Sequence, residues 1–220
     1  MTAPATAPAT PPGPIQPRRG VPLAELVADR VVDAIVRGRL DDEARLMEAD
    51  VARHLGLSRS PLREAFRVLH SQGLLVITPR RGTRVIRFHA GWRHDVREVR
   101  WGIERVAADR ASGHLRRDPR DLDAALAGIE AAVRAGDVFA INEADLAFHG
   151  AIVAAAGSEL LDAMWAAIRR HVLILFAHDV KDYDARRIVA DHERLRDALV
   201  SPPGPSLEQA MSDHVRWRPD

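Results

Sequence analysis

The sequence predicts a mainly α-helical protein in two parts, a small N-terminal unit with one β-hairpin and a larger all-helical unit. Apolar residues recur at helical spacing through most of the 220 residues. Two runs rich in β-branched residues flank a Pro/Gly turn near residue 80, and further Pro or Gly residues separate the helical runs. With 46% hydrophobic and 29% charged residues, the composition is that of a soluble globular protein.

The composition also excludes several classes of protein. The chain has no Cys, which rules out disulfide scaffolds, thiol catalysis and Cys-based zinc sites. No apolar run approaches the ~18 residues of a membrane span. Residues 1–20 are rich in Ala, Pro and Thr and lack the apolar segment of a secretory signal. We therefore expect a disordered leader over 1–20, a cytoplasmic location and no membrane partner.

Charge is distributed unevenly along the chain. The formal net charge is +1, yet residues 51–90 hold 8 Arg and one acidic residue, Glu64. Residues 91–220 hold 18 cationic and 22 acidic residues. This asymmetry predicts a nucleic-acid-binding part joined to a part with another role. Of the 32 cationic residues 31 are Arg. Two causes can explain this bias: recognition of phosphate and guanine, or the base composition of the genome.

The N-terminal unit, residues 21–88, is predicted to contain three helices and a hairpin. The helices span 21–39, 48–55 and 61–71. Ser60 is the expected N-cap of the third helix, Pro61 its first residue, and Gly56 permits the tight turn before it. Two strands, 74–78 and 83–87, surround the turn, and we predict no other strand in the chain. This order is that of a winged helix-turn-helix.

Arginines mark the surface of this unit that is expected to meet DNA. Arg59, Arg63 and Arg67 recur at a spacing of four and so share one face of the third helix. Two serines at the start of that helix suit a phosphate, and the hairpin tip adds two more arginines. A plain helical hairpin with solvated arginines is the competing interpretation. It does not explain why the helix order, the turn glycine, the arginine face and the basic hairpin tip occur together. The candidate DNA contacts are Arg45, Ser58, Arg59, Ser60, Arg63, Arg67, Arg80, Arg81 and Gly82.

Residues 92–217 form the predicted helical bundle. Its six helices are expected over 92–112, 119–135, 137–156, 159–179, 184–200 and 206–217. Three of them place polar residues on an apolar face: Asp145 and His149, four residues apart, then His192 and His214. A buried Asp among imidazoles is costly unless it is paired or bound to a metal. These four residues therefore predict a site for Zn²⁺, Ni²⁺, Co²⁺ or Mn²⁺, with zinc favoured.

Two alternatives accompany the metal prediction. Each His on an apolar face can instead be a hydrogen-bonded core residue. His171 and His178 share another stripe with Met164, Ile168 and Leu175, so spacing alone does not exclude them as ligands.

The N-terminal unit resembles the DNA-binding domain of GntR-family bacterial transcription regulators. The segment Leu57–Ala65, LSRSPLREA, matches the SR(S/T)PxREA run at the start of the family's recognition helix. The resemblance implies that Ser58, Arg59, Ser60 and Arg63 contact DNA and that the wing around Gly82 enters the minor groove. Ala49 departs from the pattern, since some relatives have Arg at this position.

Residues 92–217 resemble the FCD ligand-binding domain of the FadR-like GntR subfamily, an all-helical bundle. Metal-binding members carry D-x-x-x-H on one helix and one His on each of two later helices, an order that this chain matches at the four residues named above. The resemblance implies that Arg100, which precedes Glu104 by one helical turn, meets a carboxylate effector. The alternative is a surface ion pair between the two.

Together these patterns predict a homodimeric, nucleoid-associated transcription regulator, with repression as the expected sign and no enzymatic activity. Its partners are a short inverted repeat in double-stranded DNA and a small organic-acid effector. One alternative is an HD-type metal-dependent phosphohydrolase that uses His178 and Asp179, but it leaves Asp145 and its three His unexplained. The other is a regulator whose bundle binds an acyl ligand without metal.

Overall fold

In a computed structural model, the chain forms two compact units, Met1–His89 and Ala90–Asp220. The structure describes residues 15, 19–79, 82–179, 185–201 and 205–215. Most of the predicted leader and two candidate DNA contacts, Arg80 and Arg81, lie outside the described residues.

Three helices build the first unit: α1 (Leu23–Val36), α2 (Glu48–Leu55) and α3 (Arg59–Ser71). Gly56 sits in the turn between α2 and α3 at φ 68°, a left-handed backbone that favours glycine. The α3 helix packs on α1 through side chains that are almost fully buried. These include Val27, Val31, Leu62, Phe66 and Leu69.

The start of α3 corrects one prediction. Ser58, with an extended backbone, is the N-cap, so the helix begins at Arg59 and not at Pro61. Pro61 is the third helical residue, where the missing N–H costs nothing because the first-turn N–H groups have no partner within a helix. Ser60 therefore lies in the first turn.

The wing is a three-stranded antiparallel sheet in the order β1-β3-β2, formed by β1 (Arg45–Leu46), β2 (Leu75–Thr78) and β3 (Gly82–Val85). The β1 strand is missing from the sequence prediction, since two residues are too short to show an alternating pattern. It forms because Arg45 pairs with Arg84 and Leu46 with Thr83 on β3.

The second unit is helical throughout its described part. Its helices are α4 (Ala90–Arg117), α5 (Arg120–Ala135), α6 (Val138–Ala155), α7 (Glu159–Asp179), α8 (Ala185–Val200) and α9 (Pro205–Val215). Asp137 caps α6 by accepting hydrogen bonds from the backbone N–H groups of Phe139 and Ala140. These six helices, with the winged unit before them, confirm the predicted fold class.

The α6 helix lies at the centre of this bundle, in contact with α4, α5 and α7. It is also the one described helix whose length and mean hydropathy, 1.3, meet the requirement for a membrane span. Its residues Phe148, Ile152 and Val153 are buried in the protein core. A core helix of a bundle explains this apolar composition.

Candidate functional site

Three helices of the second unit bring the predicted metal ligands together. His149 on α6, His192 on α8 and His214 on α9 each place one ligating atom within 4.8 Å of the other two. Nε2 of His149 lies 3.1 Å from Nε2 of His214. Asp145 completes the group, because its Oδ1 lies 3.3 Å from Nε2 of His149 and its Oδ2 lies 3.5 Å from Nε2 of His192. Three imidazoles and one carboxylate therefore converge on one place.

The imidazole of His192 is oriented as a metal ligand would be. Its Nδ1 lies 2.8 Å from the backbone carbonyl of Ile188, so Nδ1–H donates and Nε2 keeps a lone pair. That Nε2 is buried and has no hydrogen-bond partner among the described residues. A buried lone pair facing a carboxylate and two further imidazoles fits a divalent transition metal.

Glu104 on α4 is the functional residue that the sequence interpretation missed. Its side chain is fully buried, its Oε1 accepts a hydrogen bond from Nε of Arg100, and its Oε2 lies 2.6 Å from Nδ1 of His149. The ion pair between Arg100 and Glu104 is thus in the interior, and the surface alternative is wrong. The signal was present, since Glu104 shares the buried α4 face of Ala107, Ala108 and Ala111 at helical spacing.

The charges of this cluster depend on one another. Burial raises the pKa of Glu104, but the attraction of Arg100 and His149 outweighs it and holds that pKa below the usual value. Burial likewise raises the pKa of Asp145, and His192 and His149 lower it well below the usual range. The pKa of His214 is well below its usual value because of burial and the neighbouring His192 and His149. Two carboxylates therefore stay ionised in the interior, beside a His214 that stays neutral.

A small cavity of about 60 Å³ adjoins the cluster. Asp145, His192, His214 and Arg100 are among the residues that line it. The guanidinium of Arg100 lies 4.6 Å from the ring centre of Phe176, and its Nη2 is buried with no hydrogen-bond partner among the described residues. The cavity therefore offers a free cationic donor beside the imidazoles, which suits an anion.

Two other predicted candidates occupy different places. His171 stacks against Trp92 with ring centres 6.2 Å apart, and on the same stripe Met164 is exposed while Leu175 is buried, so only part of this stripe faces the core. Asp179, the carboxylate of the phosphohydrolase alternative, accepts two hydrogen bonds from Arg97 at 2.6 and 2.7 Å. Neither His171 nor His178 is part of the three-His cluster.

The predicted DNA face of the first unit is exposed. This holds for the N-cap, Ser58, and for four residues of α3: Arg59, Ser60, Arg63 and Arg67.

Arg45 extends this face to the wing. A Cβ atom on Gly82 would lie 3.6 Å from Nε of Arg45, so the arginine lies against that end of β3. Gly82 has φ +92°, a backbone conformation that other residues rarely adopt, which explains why a glycine occupies this position. Arg45 therefore places a positive charge at the wing. It lies on β1, which is too short to show a periodic pattern in the sequence.

Comparison with known proteins agrees with this architecture. Residues 23–85 match the family described as bacterial regulatory proteins, gntR family, and residues 95–216 match the FCD domain. A curated relative from Paenarthrobacter nicotinovorans, described as a probable D-xylose utilization operon transcriptional repressor, is 28% identical over 193 residues, which cover 88% of this chain and 85% of the relative.

Solved structures share the fold. A GntR transcriptional regulator from Rhodococcus sp. RHA1 has a TM-score of 0.66 at 24% identity, covering 88% of this chain and 91% of its own. McbR/YncC of E. coli has a TM-score of 0.72 at 21% identity, covering 89% and 94%. Because the two family matches span both units, the chain belongs to the GntR family of bacterial regulatory proteins and is a transcriptional regulator with an FCD domain.

Proposed function

We propose that this regulator is a homodimeric repressor whose affinity for its operator is controlled by a small organic acid bound beside a divalent transition metal. The observation that carries the proposal is the buried cluster of Asp145 and three His next to a cavity lined by Arg100. The protein acts in the cytoplasm, at the nucleoid, and regulates without catalysing a reaction.

The donor set supports the metal. Asp145, His149, His192 and His214 would hold the ion, and three imidazoles with one carboxylate suit Zn²⁺ best. When bound, the metal supplies positive charge and free coordination positions beside the cavity. Oε2 of Glu104 lies 2.6 Å from Nδ1 of His149, and its charge favours the proton on Nδ1, which leaves Nε2 for the metal.

The cavity supports a small anionic effector. A volume of about 60 Å³ holds only a few water molecules, so the ligand has few heavy atoms. The free Nη2 of Arg100 donates to its carboxylate in a site with little water, where charge complementarity is strong. The pair of Arg97 and Asp179 closes another side of the cavity and gives its wall both donors and acceptors.

The exposed arginines support operator binding by α3 in the major groove. One such helix per chain covers too little DNA for high specificity, which favours a homodimer on an inverted repeat. The curated relative is named as a repressor, so release from DNA is the expected response to the effector.

Replacing Arg59 should weaken operator binding. We expect Arg59→Ala to cost about 1–3 kcal/mol and to relax base preference at one position, because a bidentate contact to guanine is lost. Titration of an operator selected from random-sequence DNA measures the cost. Arg134→Ala, an exposed arginine of the FCD domain paired with Glu130, is the control. Equal affinity of the Arg59 and Arg134 variants would contradict the proposed role.

Removing one imidazole should remove the metal. We expect His192→Ala to lose most of its metal and to show little thermal stabilisation by added Zn²⁺, because metal binding contributes folding free energy. His171→Ala, which lies outside the cluster, should keep a metal content near the wild-type value. Elemental analysis of the purified proteins measures the metal content of each variant. Full metal content in a His149→Ala/His214→Ala double variant would rule out this site.

Glu104 should tune the metal without binding it. Glu104→Gln removes the charge that orients His149, and we expect zinc affinity to fall about 10- to 100-fold. Competition with a chromophoric chelator measures the dissociation constant. Glu130→Gln on the exposed face of α5 is the matched control and should bind zinc as the wild type does. Wild-type affinity in the Glu104 variant would refute the contribution of this carboxylate.

Arg100 should govern the effector response. Arg100→Lys keeps a cation beside the buried Glu104 but loses planar donors, so we expect a roughly tenfold or greater rise in the effector concentration needed for release from DNA. Operator affinity without effector should not change. The probe is the acid that gives the largest thermal shift in a screen of small carboxylates, and Arg105→Lys on the exposed side of α4 is the control. An unaltered response in the Arg100 variant would disprove this role.

A further inference from the structure

An ion pair joins the two helices of the helix-turn-helix. Glu48 is the first residue of α2, and its Oε2 accepts a hydrogen bond of 2.8 Å from Nε of Arg63 on α3. The Arg63 side chain is 55% exposed and that of Glu48 is 36% exposed, so both groups remain accessible at the surface. The bond therefore holds Arg63, a candidate DNA contact, at Nε and leaves Nη1 and Nη2 available.

This geometry restricts how Arg63 can bind a base. A guanidinium has five N–H groups, and it can grip O6 and N7 of guanine through Nη1 with Nη2 or through Nε with Nη2. Since Glu48 occupies Nε and the Arg63 side chain is largely exposed, the edge formed by Nη1 and Nη2 is the one left to bind a base. The described residues provide no ion pair for Arg59 or Arg67, so Arg63 is the oriented member of this face.

We propose that Glu48 is a positioning residue for sequence recognition: it holds Arg63 so that its end-on edge meets one base pair of the operator. The inference rests on the proposed operator binding. An exposed pair contributes little on its own in water. Docking on DNA excludes water and strengthens the bond, because the effective dielectric constant falls. The carboxylate also repels phosphates, so it favours the base-reading arrangement over general attraction to DNA.

The test compares discrimination with general affinity. An operator is selected from random-sequence duplex by the wild-type protein, and every single-base-pair variant of it is titrated alongside an unrelated duplex. The variants are Glu48→Ala, Glu48→Gln, Arg63→Ala and the double Glu48→Ala/Arg63→Ala. Asp50→Ala is the matched control, because Asp50 lies on the same helix but pairs within it, with Arg53 at 2.8 Å.

We expect Glu48→Ala to lose about tenfold discrimination at one base pair while binding the unrelated duplex as tightly as the wild type or more tightly. Glu48→Gln, which keeps a neutral acceptor and the side-chain volume, should lose less. Asp50→Ala should keep full discrimination. The double variant should discriminate as Arg63→Ala does, since Glu48 acts through Arg63.

Several results would overturn the inference. Unchanged discrimination in both Glu48 variants would do so, as would a parallel loss of operator and unrelated-duplex binding, which indicates a purely structural role. If Arg59→Ala impairs operator binding and Arg63→Ala does not, operator binding stands and the inference fails. If the wild type selects no sequence, both the proposed function and this inference fail.

Discussion

A carboxylate stays ionised inside a protein only if cations and hydrogen-bond donors surround it, and Glu104 places this requirement on the whole FCD domain. Its side chain has no exposed surface. Arg100, one turn earlier on α4, satisfies one oxygen, and His149 on α6 approaches the other. Because Nδ1 of His149 faces Glu104, its Nε2 faces His214 and Asp145. The position of one carboxylate thus orients the imidazole on which the remaining cluster converges.

The charges of the cluster explain which ligands it suits. With the imidazoles neutral, as metal binding requires, Glu104 and Asp145 each carry one negative charge and Arg100 one positive charge, so these three side chains sum to −1. A divalent metal would change that sum to +1, and a monocarboxylate would then neutralise it. Arg97 and Asp179 add nothing to this sum, because they form a pair. Metal first and small carboxylate second is therefore the order that charge complementarity favours in a poorly hydrated cavity.

Local spacing made part of this site predictable. Asp145 and His149 share a helix face whatever the tertiary structure is, and LSRSPLREA marks the start of α3 within two residues. That His192 and His214 meet His149 depends on how α8 and α9 pack, which spacing does not determine; the family resemblance supplied it. Glu104 was noted only as the partner of Arg100, with a surface pair as the alternative, because a charged i, i+4 couple is usually solvent-exposed and spacing alone does not show that it is buried. The β1 strand was missed because its partner is nearly forty residues away.

The two candidate sites use the same chemical device in different surroundings. In each, a glutamate accepts from Nε of an arginine, Glu104 from Arg100 and Glu48 from Arg63. In each, the outer nitrogens remain available, toward a buried cavity for Arg100 and toward the exposed face of α3 for Arg63. A mobile arginine loses considerable side-chain entropy when it binds, and a carboxylate that already holds Nε lowers that loss. The buried pair is held firmly by its low-dielectric environment, whereas the exposed pair restricts its arginine weakly in the free protein and more strongly once a ligand excludes water from it. Burial thus decides how firmly the same bond fixes an arginine before its ligand binds.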